Sequence, residues 1–384
     1  RGARFQGWGR MSNKVDEKTM KPVAKRALAP KLRFPEFREA GGWEEKRLGN
    51  VLTFQAGFPF DSASFTEARH GLRLIRNRDL KSDDKIVFYS NSFDEQYVVN
   101  DGDVLVGMDG DFTPCVWNKG KALLNQRVGR IIAHKEASQM FMYYFLTVHL
   151  KAIEDATART TVKHLSHSDV EKIHEPLPTL PEQQKIADCL SSIDELVTLE
   201  AQKLDTLKAH KKGLMQQLFP AEGETLPKLR FPEFRDAGEW EEKEVGDVFK
   251  VTRGEVLSMT LVTDAKTEEK PFPVFSSQTK NNGLAGFYSE HLYEDAITWT
   301  TDGANAGDVN YRQGKFYCTN VCGVLINENG YANPCIAALI NSVSKKHVSY
   351  VGNPKLMNGV MSKIVIPFPS VEEQRKISDC LSSF

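Results

Sequence analysis

Between residues 182 and 218, apolar side chains recur in alternating steps of four and three. Ile186, Leu190, Ile193, Val197, Leu204, Leu207, Leu214 and Leu218 fill eight of the ten seam positions, with Glu200 and Lys211 in the other two. A seam of period 3.5 predicts one uninterrupted helix whose narrow stripe suits packing against a second helix. At 1.5 Å per residue it runs about 55 Å. Shorter apolar runs predict strands at 103–107 (DVLVG) and 295–300 (DAITWT). Gly-rich turns follow each, MDGDF at 108–112 and TDGANAGD at 301–308. Residues 139–151 (QMFMYYFLTVHLK) predict a buried helix. The Pro-rich stretches at 176–181 and 367–370 are expected to end what precedes them, because proline has no N–H for a helix or a sheet ladder. The fold class this predicts is α/β (α+β).

The pattern occurs twice. Residues 30–49 read PKLRFPEFREAGGWEEKRLG and residues 227–246 read PKLRFPEFRDAGEWEEKEVG. Residues 176–192 read PLPTLPEQQKIADCLSS and residues 367–383 read PFPSVEEQRKISDCLSS. Each unit therefore opens and closes on a near-identical segment, while the interiors diverge. A faint echo survives inside: Asp109-Gly110 against Asp302-Gly303, and residues 125–129 (NQRVG) near 319–323 (TNVCG). Shared frames around dissimilar interiors predict one scaffold holding two different surfaces. The predicted organisation is a basic arm or tag at 1–30, a first domain at 31–181, the long helix at 182–218 and a linker at 219–229. A second domain follows at 230–371, then the start of a second helix at 372–384. Residues 1–10 precede Met11 and read as a tag remnant or upstream translation.

Charge sharpens this picture. The 384-residue chain has a net charge of −1, yet residues 1–33 carry ten Lys/Arg and two Asp/Glu, a balance of +8 that leaves −9 for the rest. A nucleic-acid reader with that balance must concentrate its cations locally or borrow them from a partner. The six cysteines include no CxxC pair, and His164, His167 and His174 fit no zinc spacing, so buried thiols and no metal site are expected. Nothing in the pattern predicts a membrane span or a signal peptide, which implies a cytoplasmic protein.

PKLRFPEF followed by W-E-x-K, together with PLP-x-L-P-EQ-x-KIA-x-CLSS-x-D ahead of a long helix, resembles the specificity subunits of type I restriction–modification systems. The resemblance covers about residues 28–384. It implies two tandem target-recognition domains with mixed sheets, joined by a coiled-coil spacer helix, each reading half of a split sequence in double-stranded DNA. It also implies a bacterial or archaeal cell, two methyltransferase subunits and motor-nuclease restriction subunits as partners. S-adenosylmethionine, ATP and Mg²⁺ would be held by those partners, with no cofactor and no catalytic residue in this chain. In that family the spacer helices pair as an antiparallel coiled coil. Here the second helix would be short, which leaves three arrangements open: self-association through the helix at 182–218, packing on a partner subunit, or truncation.

Candidate DNA contacts follow from residue chemistry. Arg73, Arg76, Asn77, Arg78 and Lys81 cluster within nine residues, and arginine and asparagine can each make two bonds to a base edge. Arg159, Thr160, Thr161, Lys163 and His164 offer hydroxyls and cations suited to phosphate, and Asn353 and Lys355 stand at the matching place in the second unit. Ser277, Gln278, Thr279 and Lys280 lie in a polar run that could read bases. A solvated loop competes with each of these assignments, and a tight turn is the expected role of both Asp-Gly pairs. Two other functions compete with this one. Pro35-Glu36 with Glu44-x-Lys46, and Pro232-Glu233 with Glu241-x-Lys243, imitate a Mg²⁺-dependent nuclease site, but the spacer between them is short and turn-like. A coiled-coil assembly scaffold with inert domains would not need interiors of different chemistry. No phosphate loop is present, and neither Asn333-Pro334 nor Asn353-Pro354 continues as an amino-methylase motif requires.

Overall fold

In the computed structural model, residues 30–156, 163–277 and 281–383 are described. The chain forms two compact units, residues 1–198 and 199–384, each of mixed α/β structure. The division falls inside the long helix, which spans Leu180–Leu218 and so begins two residues earlier than the seam suggests.

In the first unit, Leu52–Ala56, Val128–Ala133, Val104–Gly107 and Pro114–Val116 form an antiparallel sheet in that order. Helix Gln139–Ala156 packs on it, burying Phe141, Met142, Leu146 and Leu150 against Phe54, Val104, Val106 and Ile131. A second sheet of five short strands contains Leu72–Ile75, which runs parallel to Ala122–Leu124. The second unit keeps the frame but merges the two sheets. Its six-stranded sheet runs Lys250–Arg253, Cys322–Ile326, Tyr293–Thr300, Val309–Cys318, Phe272–Phe275, Leu284–Tyr288. Helix Pro334–Ser344 covers it, with Ile336, Leu339 and Ile340 packed on Ile297, Trp299 and Leu325.

The near-identical ends of each repeat grip one another. Arg33 donates from Nε and Nη2 to the two oxygens of Glu182, both at 2.7 Å, and Trp43 Nε1 donates to the same carboxylate at 3.2 Å. Arg230 and Trp240 hold Glu373 in the same way, at 2.7, 2.8 and 3.0 Å. Both carboxylates are about 1% exposed, so three donors converge on a charge removed from water. The next residue completes the joint. Gln183 accepts from Ser138 N at the start of the first unit's helix, and Gln374 accepts from Asn333 Nδ2, the residue capping the second unit's helix. The doubled Glu-Gln pair is thus a clamp between frame and helix.

Prolines 176 and 367 correct one expectation. They do not end the preceding structure but lie inside it, in strands His174–Leu177 and Val365–Phe368. Each strand belongs to a two-stranded ribbon, pairing Glu45 with Pro176 and Glu242 with Pro367. A strand with one neighbour can spare an N–H, so proline is tolerated there. Gly57 and Gly254 are matched as well. A Cβ at either would collide with backbone carbonyls, of Asn125 and Leu124 in one unit and Cys318 and Thr319 in the other.

The seam of the long helix divides into three parts. Ile186 packs on the first unit's core, and Leu214 and Leu218 pack on the second's, while Leu190 is half-buried. Between them Ile193, Val197, Leu204 and Leu207 are 38–62% exposed, and Leu196 and Leu199 add to the stripe. The two ends of the helix thus belong to two different cores, and its middle carries an exposed apolar stripe.

Candidate nucleic-acid interface

Three segments distant in sequence meet in each unit. The first follows the parallel strand. Ile75 pairs with Leu124 and Phe275 with Cys318, while Asn125 N donates to Ile75 O (3.3 Å) and Thr319 N to Phe275 O (2.9 Å). Arg76-Asn77 and Ser276-Ser277 therefore occupy the same place in the repeat. The second segment is the Asp-Gly turn and the third the loop before the closing strand. Gly110 N donates to Lys163 O and Gly303 N to Pro354 O, each at 3.0 Å. Leu165 N reaches Met108 O, and Leu356 N reaches Thr301 O. The weak internal echo in the sequence thus marks one construction made twice.

The turn aspartates gather cations. Asp109 Oδ1 lies 2.8 Å from His164 Nδ1 and 3.3 Å from Arg127 Nη1. Asp302 faces Lys355 Nζ at 3.7 Å and Arg253 Nη2 at 3.8 Å. The Arg127, His164, Arg253 and Lys355 side chains are 41–56% exposed, so each turn presents solvent-facing basic groups around one carboxylate. Beside Asp109, the hydrogen bond from Lys81, helped by Thr113, pulls the Asp111 carboxyl down to about 2.

The arginine-rich segment divides by role. Arg73 is tied to Asp83 and lies 4.9 Å over the Trp117 ring. Arg76 forks onto Asp79 at 2.8 and 2.9 Å and also reaches Lys85 O. Asn77 Nδ2 donates to Asp109 O at 2.9 Å and so holds the turn. These three spend their polar atoms inside the unit. Arg78 is exposed with no side-chain bond among the described residues, and Lys81 is exposed on Asp111. Lys163 Nζ donates to Glu154 O at 2.6 Å, whereas Asn353 is exposed and Ser277 half-buried. Arg159, Thr160, Thr161, Gln278, Thr279 and Lys280 lie outside the described residues.

Each unit has a cleft lined by residues that follow the parallel strand and by residues of the Gly-rich turn. The first, of about 490 Å³, is lined by Asn77, Arg78, Lys81, Asp111, Thr113 and Cys115. The second, of about 150 Å³, is lined by Asn282, Thr298, Asn305, Asn310 and Arg312 among others. Arg127, Arg253 and Arg312 were not singled out from sequence. Arg127 sits in the visible echo, but the other two carry no local signal. The nuclease-like carboxylates are not gathered: Glu36 pairs with Lys185 at 3.2 Å, and Glu44 lies on strand Glu44–Arg47 beside Lys46. Among the described residues no group of three His, Cys, Asp or Glu is placed to hold a metal ion, and no helix is long and apolar enough to cross a membrane.

Two copies of one frame, each joining the same three segments and carrying a cleft of different lining, define a tandem-repeat protein with paired, chemically different surfaces. The chain belongs to the type I restriction modification DNA specificity domain family, whose pattern it matches over residues 40–209 and again over 237–384. It is 37% identical over 177 residues to the type I restriction enzyme EcoBI specificity subunit of Escherichia coli, a match covering 46% of this chain and 36% of that protein. It is 33% identical over 144 residues to the type I restriction enzyme MpnII specificity subunit of Mycoplasma pneumoniae, covering 37% and 42%. The chain thus spans about two fifths of the length of these curated relatives. The crystal structure of a type I restriction–modification S subunit from M. genitalium shares the fold, with a TM-score of 0.66 and 18% identity over 93% of this chain and 92% of that one.

Proposed function

We propose that this chain is the DNA sequence-specificity subunit of a type I restriction–modification complex. Its two units each read one part of a bipartite duplex target, and the chain carries methyltransferase and motor-nuclease subunits that perform the chemistry. S-adenosylmethionine, ATP and Mg²⁺ belong to those partners in this reading. The observation that carries it is the contrast between the clefts. Residues after the parallel strand and residues of the Gly-rich turn take part in both, yet one is lined by Arg78, Lys81 and Asp111 and the other by Asn282, Asn305 and Arg312. A shared frame with unlike donors and acceptors is what reading two different half-sites demands. Membership of a DNA specificity family supports the same conclusion.

The test is selection from a randomised duplex library by the chain reconstituted with its methyltransferase. Two short base runs separated by a fixed unread gap are expected. A single contiguous target, or no enrichment, would overturn the proposal. Incubated alone with DNA and Mg²⁺ the chain should not cleave, and with S-adenosylmethionine it should not methylate.

A further inference from the structure

We propose that the cavity at Arg312 in the second unit is a binding site for a phosphoryl group. Arg312 lies on strand Val309–Cys318, with Nε donating to Thr298 Oγ1 at 3.0 Å and Nη2 to Asn282 O at 2.7 Å. Its guanidinium carbon stands 3.8 Å over the Phe275 ring. Nη1 donates to nothing among the described residues, and no described carboxylate forms an ion pair with the group. Asp308, the acidic residue lining the cavity, is engaged by Lys345 Nζ at 2.7 Å. Burial without a counter-ion pulls the guanidinium down to about 10. A partly desolvated cation without a counter-ion costs free energy, and an entering anion offsets that cost.

The rest of the cavity suits oxygens. Thr298 pairs directly with Asn310, and Asn310 and Arg312 are two residues apart on one strand, so the three side chains share a face. Asn305 and Asn341 add amides. The volume of about 150 Å³ is some tenfold the ~10–15 Å³ that one water needs.

The first unit shows that the frame does not require this cavity. Met108 N bonds Arg127 O and Thr301 N bonds Val321 O, so Leu105 stands where Thr298 does, three residues before each donor. There the same face is filled: Leu105, Trp117, Ile75 and Leu124 pack together, each 2% exposed or less. On this strand face one copy packs apolar side chains together, whereas the other sets Thr298, Asn310 and Arg312 there, and the first unit's own cleft is lined instead by Asn77, Arg78 and Lys81. Two sources supply a phosphoryl group, the DNA backbone or a free phosphate. The first rests on the function proposed above and the second does not.

The experiment uses the full chain and three proteins: the unaltered chain, R312Q and N310D. N310D leaves the Arg312 bonds in place but sets a carboxylate beside the guanidinium. Thermal melting in inorganic phosphate is compared with chloride of equal ionic strength. Saturable stabilisation of the unaltered chain, lost in both variants, is expected. Duplex binding by the chain with its methyltransferase is then measured against salt. If the group is a DNA phosphate, R312Q reduces the slope of log affinity against log salt by about one, equally for all sequences. An unchanged slope with lost phosphate stabilisation assigns the site to free phosphate. Phosphate that stabilises no more than chloride, together with an unchanged slope in R312Q, overturns the proposal. So does a loss confined to one base position, which would make Arg312 a base reader. If the unaltered complex binds no duplex but phosphate still stabilises the chain, the proposed function fails and the phosphoryl site stands.

Discussion

At the residue scale, the clamp and the cleft call for different behaviour from similar side chains. Glu373 is buried under Arg230 and Trp240. Removing it in E373A strands a buried guanidinium and should lower the unfolding free energy of the second unit by about 3 kcal/mol in a urea titration. Replacing Arg230 and Glu373 together by apolar residues should cost less, because no charge is left unpaired. In the first unit the hydrogen bond from Arg33, helped by Trp43, holds Glu182 below the usual carboxylate range. Asp111 is held at about 2. A depressed folded-state value means a contribution present above the unfolded carboxylate range of about 4 and lost as pH falls through the folded value. Unfolding midpoints should therefore drop between about pH 4 and 2, and E182Q should flatten that decline. Exposed Arg78 and internally bonded Arg76 should separate in the same manner. R78A should leave melting unchanged and weaken binding at one half-site by about 1–3 kcal/mol, measured on target duplexes carrying single base changes. R76A should lower melting by freeing buried Asp79.

At the element scale, the long helix has ends in two cores and an exposed apolar middle. Ile193 is 50% exposed and Leu204 52%, so charges at these positions remove little intra-unit packing. I193E/L204E should keep the unfolding transition of each unit while lowering the mass of any self-associated species, read by light scattering. Unaltered mass in the variant would mean that association does not use this seam. Helix Gln139–Ala156 and strands Val104–Gly107 and Tyr293–Thr300 were legible because their apolar runs are long and bounded by turn residues. The strands around Pro176 and Pro367 were not legible. Proline forbids a ladder bond only where a partner would take it, and a two-stranded ribbon has a free side.

At the scale of the whole molecule, one frame made twice presents two unlike surfaces. If both grip the same duplex, affinity should fall steeply between 50 and 200 mM salt, as released counterions are returned. Substitutions in one cleft should leave reading by the other unchanged. Retained discrimination at both half-sites after loss of Arg78 would place readout elsewhere on the first unit.

The doubled frame was written in the sequence, because near-identical segments must fold alike and their spacing fixes where each unit opens and closes. Sequence also marked the Asp-Gly turns and the loops before the closing strands, but not that hydrogen bonds join them. Only tertiary structure decided which cations are free. Arg73, Arg76 and Asn77 are candidate DNA contacts by residue type, yet each is held by a neighbouring carboxylate or carbonyl inside the unit. Arg253 and Arg312 gain their places from strand pairings, and Arg127 from its contact with Asp109, 18 residues away. A side chain's chemistry is local, but its partners are set by which backbones the fold brings alongside, and that is a long-range property.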